Sequence, residues 1–221
     1  MSELLVLLLP EMAGLIITPG AVAGCVLLLL RSRAPVPDAL AFGGAFLVVY
    51  LLIAITAILG GAADPAAGST DTSHGVGVVV GVLFLLAGLW VLVRRPASRR
   101  REGPPKILCE LESSGPRRCF VLGIALAVLN PNLFLMMSGM SYIAGSSVGP
   151  GPALLATVLL LVAASVDFLV PVGLYLAFGD RARTWLGSLE SWVLRHARGL
   201  SLAVLFGFGA LFTARGIIGM V

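Results

Sequence analysis

The strongest constraint on this chain is a series of six apolar stretches, each long enough to cross a lipid bilayer. About 20 apolar residues, at ~1.5 Å rise each, cover the ~30 Å hydrocarbon core of a membrane. The six stretches are Leu4–Leu30, Ala39–Gly61, Gly75–Val93, Cys119–Ala144, Ala153–Phe178 and Gly199–Ile218. The sequence therefore predicts an all-α integral membrane protein with six transmembrane helices, in which residues 1–221 form a single domain.

The composition excludes several other classes of protein. Of the 221 residues, 58% are hydrophobic and only 12% are charged, whereas soluble domains average about 25% charged residues. This excludes a soluble globular domain, a disordered chain and a nucleic-acid-binding domain. Cys25, Cys109 and Cys119 give no paired disulfide framework. Because the sequence also lacks a Walker loop, a catalytic triad and an HExxH motif, we expect neither an enzyme nor a resident metal or cofactor.

The positive charges segregate between alternate connections. All but Arg215 of the 15 basic residues lie in the first, third and fifth connections, at 31–38, 94–118 and 179–198. The positive-inside rule places these connections in the cytoplasm and both termini outside. The Arg-, Ala-, Gly- and Val-rich composition indicates a bacterial gene, so we expect a bacterial plasma membrane. The segment 94–118 is interpreted as a basic cytoplasmic loop that sets the topology, or that contacts anionic lipids or a cytoplasmic partner.

A second feature of the cytoplasmic side is an amphipathic segment at Thr184–Arg198. Apolar and aromatic side chains recur there at helical spacing, opposite Glu190, Arg195 and Arg198. They are Trp185, Leu186, Leu189, Trp192, Val193 and His196. This pattern predicts a short helix that lies in the inner membrane interface, with Glu190 on its polar face.

Prolines interrupt the first and fourth stretches near their middles. Thr18, Pro19 and Gly20 occur in the first, and an Asn130–Asn132 triplet centred on Pro131 occurs in the fourth. Proline removes a backbone donor and clashes with the preceding helical turn. One such proline usually makes only a kink, but two at the same depth predict broken helices. The backbone groups freed there need partners from protein, water or ligand, because lipid offers none.

The two interruptions correspond in sequence. Residues 15–22 align with 127–134 at an offset close to half the chain, and each interruption begins a block of three spans. Because three is an odd number, the blocks 1–93 and 119–221 would insert in opposite orientations. Interrupted helices in inverted repeats are typical of secondary transporters, whose binding site lies where the breaks meet. We therefore expect a polar binding site there.

Two carboxylates lie inside the predicted spans. Asp167 is near the middle of the fifth span, and Glu11 is in the outer half of the first. A carboxylate within the bilayer is costly and commonly marks an ion or substrate path. The alternatives are that Asp167 is a structural group that ties helices together and that Glu11 reaches the outer interface. The candidate binding residues are Glu11, Thr18, Pro19, Gly20, Asn130, Pro131, Asn132 and Asp167.

The six spans, the two breaks and the basic loop resemble the LysE transporter superfamily. Within it, LIITPGAVAGCVLLLLRSRAPVPDALAFGG and GIALAVLNPNLFLMMSGMSYIA look like the GAP and Sap families of actinobacteria such as mycobacteria, the glycopeptidolipid- and sulfolipid-addressing proteins. The resemblance implies an inner-membrane protein that helps to export a cell-envelope glycolipid beside a larger transporter. Amino-acid exporters of the superfamily have Pro-Gly-Pro and often Asn-Pro-Lys at the breaks, where this chain has Ala21 and Asn132.

We therefore predict a transporter that exports, or assists the export of, a lipid or glycolipid through the polar site between the breaks. One alternative is an exporter of a small solute, either an amino acid or a metal ion. A second is a scaffold that transports nothing and docks a lipid-export complex through its basic loop. Glycine-rich helix faces permit a homodimer but do not require one.

Overall fold

The computed structural model describes residues 2–63, 70–93, 115–146 and 148–220, and these form eight helices. The helices are α1 Ser2–Ile16, α2 Pro19–Arg31, α3 Pro35–Ala63, α4 Thr70–Val93, α5 Pro116–Leu129, α6 Asn132–Ala144, α7 Pro150–Phe178 and α8 Asp180–Met220. The expectations for Cys109 and for residues 94–114 of the basic loop lie outside the described residues. α5 begins at Pro116 because proline needs no amide partner in the first turn of a helix.

The helices have the length and hydropathy of a membrane protein. Among the described residues, Pro35–Leu59 and Pro150–Phe178 are each long and apolar enough to span a bilayer, and three bent helix pairs raise the total to five. The apolar part of α4, Gly81–Val93, is shorter than a full span. The all-α membrane class is therefore supported, whereas the described residues do not reach the predicted six spans.

Both predicted interruptions are breaks between helices. The axes of α1 and α2 differ by 43°, and those of α5 and α6 by 67°. Pro19 is the first residue of α2, and Pro131 immediately precedes α6. Pro10 and Pro171, by contrast, lie inside the continuous helices α1 and α7. Gly20 follows Pro19 and asparagine flanks Pro131 on both sides, whereas Pro171 lies between two valines and Pro10 stays within a helix although Glu11 follows it.

Long helices from both halves of the chain hold the breaks in place. α3 packs against α5, α6 and α7, α7 packs against α1 and α2, and α4 packs along α8. Phe42 and Phe46 of α3 meet Phe168 of α7, with ring centroids 5.1 to 6.0 Å apart. Large apolar side chains such as Leu59 and Leu129 cover the outside of the protein, as expected of a surface that faces lipid.

The amphipathic segment is helical, as predicted, but it belongs to a longer helix. In α8 the part Arg181–Val193 is bent by 67° from Arg198–Ala214, and Trp185 and Trp192 are exposed. Glu190 differs from the prediction, because it is buried and its carboxylate lies 3.5 Å from the Arg31 guanidinium at the end of α2. This ion pair turns the Glu190 side chain towards the protein. The spacing of residues within α8 could not predict it, because Arg31 belongs to another helix.

Candidate binding site between the two helix breaks

The two breaks meet through one side chain. The Asn132 amide nitrogen donates to the Thr18 hydroxyl and to the backbone carbonyls of Gly14 and Leu15, at 3.3 and 3.5 Å. The Thr18 hydroxyl donates to the Leu15 carbonyl at 3.2 Å. The last carbonyls of a helix have no partner within that helix. Asn132 of α6 therefore supplies hydrogen bonds that α1 loses where it ends.

The second break satisfies its own backbone locally. The Asn130 side-chain oxygen accepts from the Asn132 backbone N–H at 3.0 Å, and the Asn130 carbonyl accepts from Leu133 N–H at 3.0 Å. Asparagine commonly folds back in this way on the amide two residues ahead. The Asn130 side-chain nitrogen has no partner among the described residues, so its two N–H donors are available to a ligand.

A cavity of about 450 Å³ lies directly against both breaks. Six of the candidate residues line it, and they are Thr18, Pro19, Gly20, Asn130, Pro131 and Asn132. The rest of the wall comes from Ile17, from Ala21 of α2 and from α3, α4, α5 and α8, and it is largely apolar. The structure thus brings together the residues of both breaks around one space, in the size range of known small-molecule sites.

The polar groups that face this cavity are few and uncharged. The side chains of Thr18, Asn130, Asn132 and Ser201 line it, together with Gly20 and Ala21 in the first turn of α2. Asn132 is only 3% exposed, and its side-chain oxygen has no hydrogen-bond partner among the described residues. The arrangement can therefore donate and accept hydrogen bonds at one end of an otherwise apolar space.

The two carboxylates do not line the cavity. Asp167 lies one layer behind it, where its carboxyl is buried close to Thr18. Glu11 exposes none of its surface and lies on the same face of α1 as the buried Leu8 and Leu15. Glu11 therefore sits inside the protein rather than at the membrane interface, and the function of both carboxylates remains a prediction.

Several residues of the cavity wall carry no sequence signal. Phe42 and Phe46 from α3, Trp90 from α4 and Ser201 from α8 line the cavity, and sequence analysis did not select them. Apolar residues that border a cavity recur at the same helical spacing as apolar residues that are fully packed, so the sequence pattern does not distinguish them. The exception is Ser201, since a hydroxyl two residues into the sixth apolar stretch is a polar feature that could have been noted.

The fold and the cavity define an all-helical protein of the membrane class, with a cavity between two broken helices. Residues 8–218 match the family Sap, sulfolipid-1-addressing protein, and the chain belongs to this family. No curated protein and no solved structure matches it. The resemblance to Sap is thus confirmed, while the wider placement in the LysE superfamily stays a prediction.

Proposed function

We propose that this Sap-family protein exports, or assists the export of, a cell-envelope lipid or glycolipid. The observation that carries the proposal is the cavity of about 450 Å³, with hydrogen-bonding groups at the two breaks and apolar walls elsewhere. The polar end of the cavity suits a lipid headgroup, and the apolar walls suit the first part of its acyl chain. Leu129, at the edge of the cavity, is 79% exposed and leads from the cavity to the lipid-facing surface.

The packing of the helices supports two inverted three-helix repeats. If α1 to α4 correspond in order to α5 to α8, the contact of α3 with α5 corresponds to that of α7 with α1. In the same way, α3 with α6 corresponds to α7 with α2, and α2 with α8 to α6 with α4. Repeats that interlock in this manner, each with a broken first helix, are the architecture of alternating-access transporters.

The charge pattern predicts on which side of the membrane the cavity lies. With the basic connections in the cytoplasm, α3 begins there, α4 ends there, and the second part of α8 begins there. Phe42, Trp90 and Ser201 then line the cavity from the cytoplasmic halves of their helices. On the opposite side α1, α6 and α7 pack together, and Gly139 brings α6 close to Leu160 and Leu8. This arrangement suits a carrier that loads from the inner leaflet of the plasma membrane.

We propose that Asp167 couples the cavity to an ion. Its carboxyl is close to Thr18, and the Thr18 hydroxyl accepts from Asn132, which connects Asp167 to the residues of both breaks. In this proposal a proton or cation on Asp167 changes the contact with Thr18 during transport, and buried Glu11 is a second such group. A larger lipid transporter and a second copy of the chain are the proposed partners.

The test compares wild type with Asp167→Asn, using Glu190→Gln as a control at a second buried carboxylate that does not line the cavity. Each protein is purified gently, its retained lipids are identified by native mass spectrometry, and its transfer of the retained lipid is measured in proteoliposomes. We expect wild type and Glu190→Gln to retain and move an envelope glycolipid. Asp167→Asn should keep its thermal midpoint and lose at least about tenfold in transfer rate.

Two outcomes would count against the proposal in different ways. If all three proteins retain only bulk phospholipid and move no lipid, the small-solute exporter or the scaffold becomes the better hypothesis. If Asp167→Asn moves lipid at the wild-type rate, the carboxyl has no coupling role, although lipid export would stand. Deletion of residues 95–116 then separates a scaffold from a transporter, because only the scaffold should lose its action.

A further inference from the structure

Four phenylalanines from three helices pack against each other beyond one end of the cavity. They are Phe84 of α4, Phe134 of α6, and Phe208 and Phe212 of α8. The ring centroid of Phe84 lies 6.4 Å from those of Phe134 and Phe212, and the Phe208 ring stacks on Phe212 at 6.0 Å. Phe84 and Phe212 are fully buried. We call these four residues the phenylalanine cluster.

The phenylalanine cluster lies one helical turn beyond the cavity wall. In α4 Phe84 precedes the lining residue Ala87 by three positions, and in α8 Phe208 follows the lining residue Leu205 by three. Residues at this spacing lie on the same face of a helix, one above the other. With the basic connections in the cytoplasm, α4 runs inward and the second part of α8 runs outward. Both steps therefore lead from the cavity towards the outer side of the membrane.

Close packing surrounds the phenylalanine cluster. On one side α1 and α6 meet it at Gly14, where an added Cβ would lie 2.6 Å from a Leu135 methyl and 2.9 Å from the Phe208 ring. Further outward α4 and α8 touch at Gly81, where an added Cβ would lie 2.5 Å from the Thr213 backbone nitrogen. Neither glycine has room for a side chain. The outer end of the cavity is therefore closed by packed rings and helix backbone.

We propose that the phenylalanine cluster is the outer gate of the cavity, an inference that rests on the proposed function. An apolar constriction excludes water and polar groups without a charge or a hydrogen bond. A phenylalanine ring moves aside by rotation about side-chain torsions, and it breaks no hydrogen bond when it does so. The contact of Phe84 with Phe134 joins the packed pair α4 and α8 to α6. When this contact separates, the cavity opens outward and its lipid can leave.

The experiment measures whether a thiol in the cavity can be reached from outside. Ser201→Cys places this thiol at a lining position of α8, while the native Cys25 and Cys119 are buried. Right-side-out vesicles that contain the full-length protein receive a membrane-impermeant maleimide, and mass spectrometry measures the labelled fraction over time. The labelling of wild type without the Ser201→Cys change is subtracted. We expect slow labelling, because the gate is closed.

Variants of the phenylalanine cluster should open this route. Phe208→Ala removes one ring, and Phe84→Leu keeps an apolar side chain but loses the ring contact with Phe134. Phe206→Ala is the matched control, since Phe206 is half-buried on the same helix as Phe208 but packs at Gly88. We expect the two cluster variants to raise the rate of outer labelling at least about tenfold, in proportion to the open population. Phe206→Ala should keep the slow rate.

The outcomes separate the gate from the proposed function. Fast outer labelling of Ser201→Cys alone would overturn the gate, and so would slow labelling of folded Phe208→Ala and Phe84→Leu. The thermal midpoint shows which variants fold, and Phe84→Leu decides the matter if Phe208→Ala does not. An equal rise in Phe206→Ala would also overturn the gate, because general loosening of α8 would explain it. The labelling needs no lipid, so lipid export fails or stands separately, in the transfer assay.

Discussion

At the first break the chain bends by 43° between α1 and α2, and at the second by 67° between α5 and α6. The second break closes its own backbone through the Asn130 turn. At the first break the carbonyls of Gly14 and Leu15 accept locally from the Ile17 N–H and the Thr18 hydroxyl, and they also accept from Asn132 across the protein. A local turn can form in an isolated helix pair, whereas the contacts of Asn132 form only when the two halves of the chain pack together at the cavity.

Replacing Asn132 should therefore have the largest effect on stability. Asn132→Ala removes the donor shared by Thr18, Gly14 and Leu15 and with it three buried contacts across the protein, although the Ile17 N–H still bonds Gly14 and the Thr18 hydroxyl still bonds Leu15. We expect a loss of about 2–3 kcal/mol in the free energy of unfolding, measured by denaturant titration in detergent. Thr18→Val removes the hydroxyl that accepts from Asn132 and donates to Leu15, and it should cost about 1–2 kcal/mol. Equal stability of Asn132→Ala and wild type would show that the breaks are not held by this amide.

Gly14 lies in the packed end of α1, whereas Gly20 lines the cavity. A Cβ added at Gly14 would lie 2.6 Å from a Leu135 methyl and 2.9 Å from the Phe208 ring. Gly14→Ala should therefore destabilise the protein by about 1–3 kcal/mol, the usual effect of overpacking. A Cβ at Gly20 meets nothing within 4 Å.

Gly20→Ala is the matched control, and it should leave the thermal midpoint unchanged or slightly raised, because alanine has less conformational freedom to lose. A similar loss of stability in both variants would contradict the contrast between a close-packed helix face and an open one. A lowered thermal midpoint in Gly14→Ala alone would show that the close packing beside the first break involves α1, α6 and α8.

The sequence predicted the breaks because a proline followed by glycine, or flanked by asparagine on both sides, weakens a helix locally. It also placed Thr18, Asn130 and Asn132 at one site, through the argument from repeated halves. The wall formed by Phe42 and Trp90 could not be predicted, since a cavity arises where neighbouring helices fail to fill space. The complete burial of residues such as Glu11 likewise depends on which helices pack around them.

Replacing Asn130 should have the smallest effect on stability. Its variants distinguish a structural role of this side chain from a role in ligand binding. Asn130→Ala removes a single acceptor for the Asn132 N–H at a half-buried position, where water can replace it. We expect a loss of about 1 kcal/mol or less. Asn130→Asp keeps an acceptor beside the start of α6, where a negative charge is favourable, and should restore wild-type stability in the same denaturant titration.

The same pair of variants acts differently on the cavity. Both remove the N–H donors of the Asn130 side chain, so each should retain less envelope glycolipid than wild type in native mass spectrometry, although only Asn130→Ala is less stable. If Asn130→Asp retained the lipid as wild type does, the second break would have only a structural role. Loss of retention at full stability would instead mean that the second break both closes its own turn and binds the headgroup. The first break, by contrast, takes part of its hydrogen bonding from Asn132 on the other half of the chain.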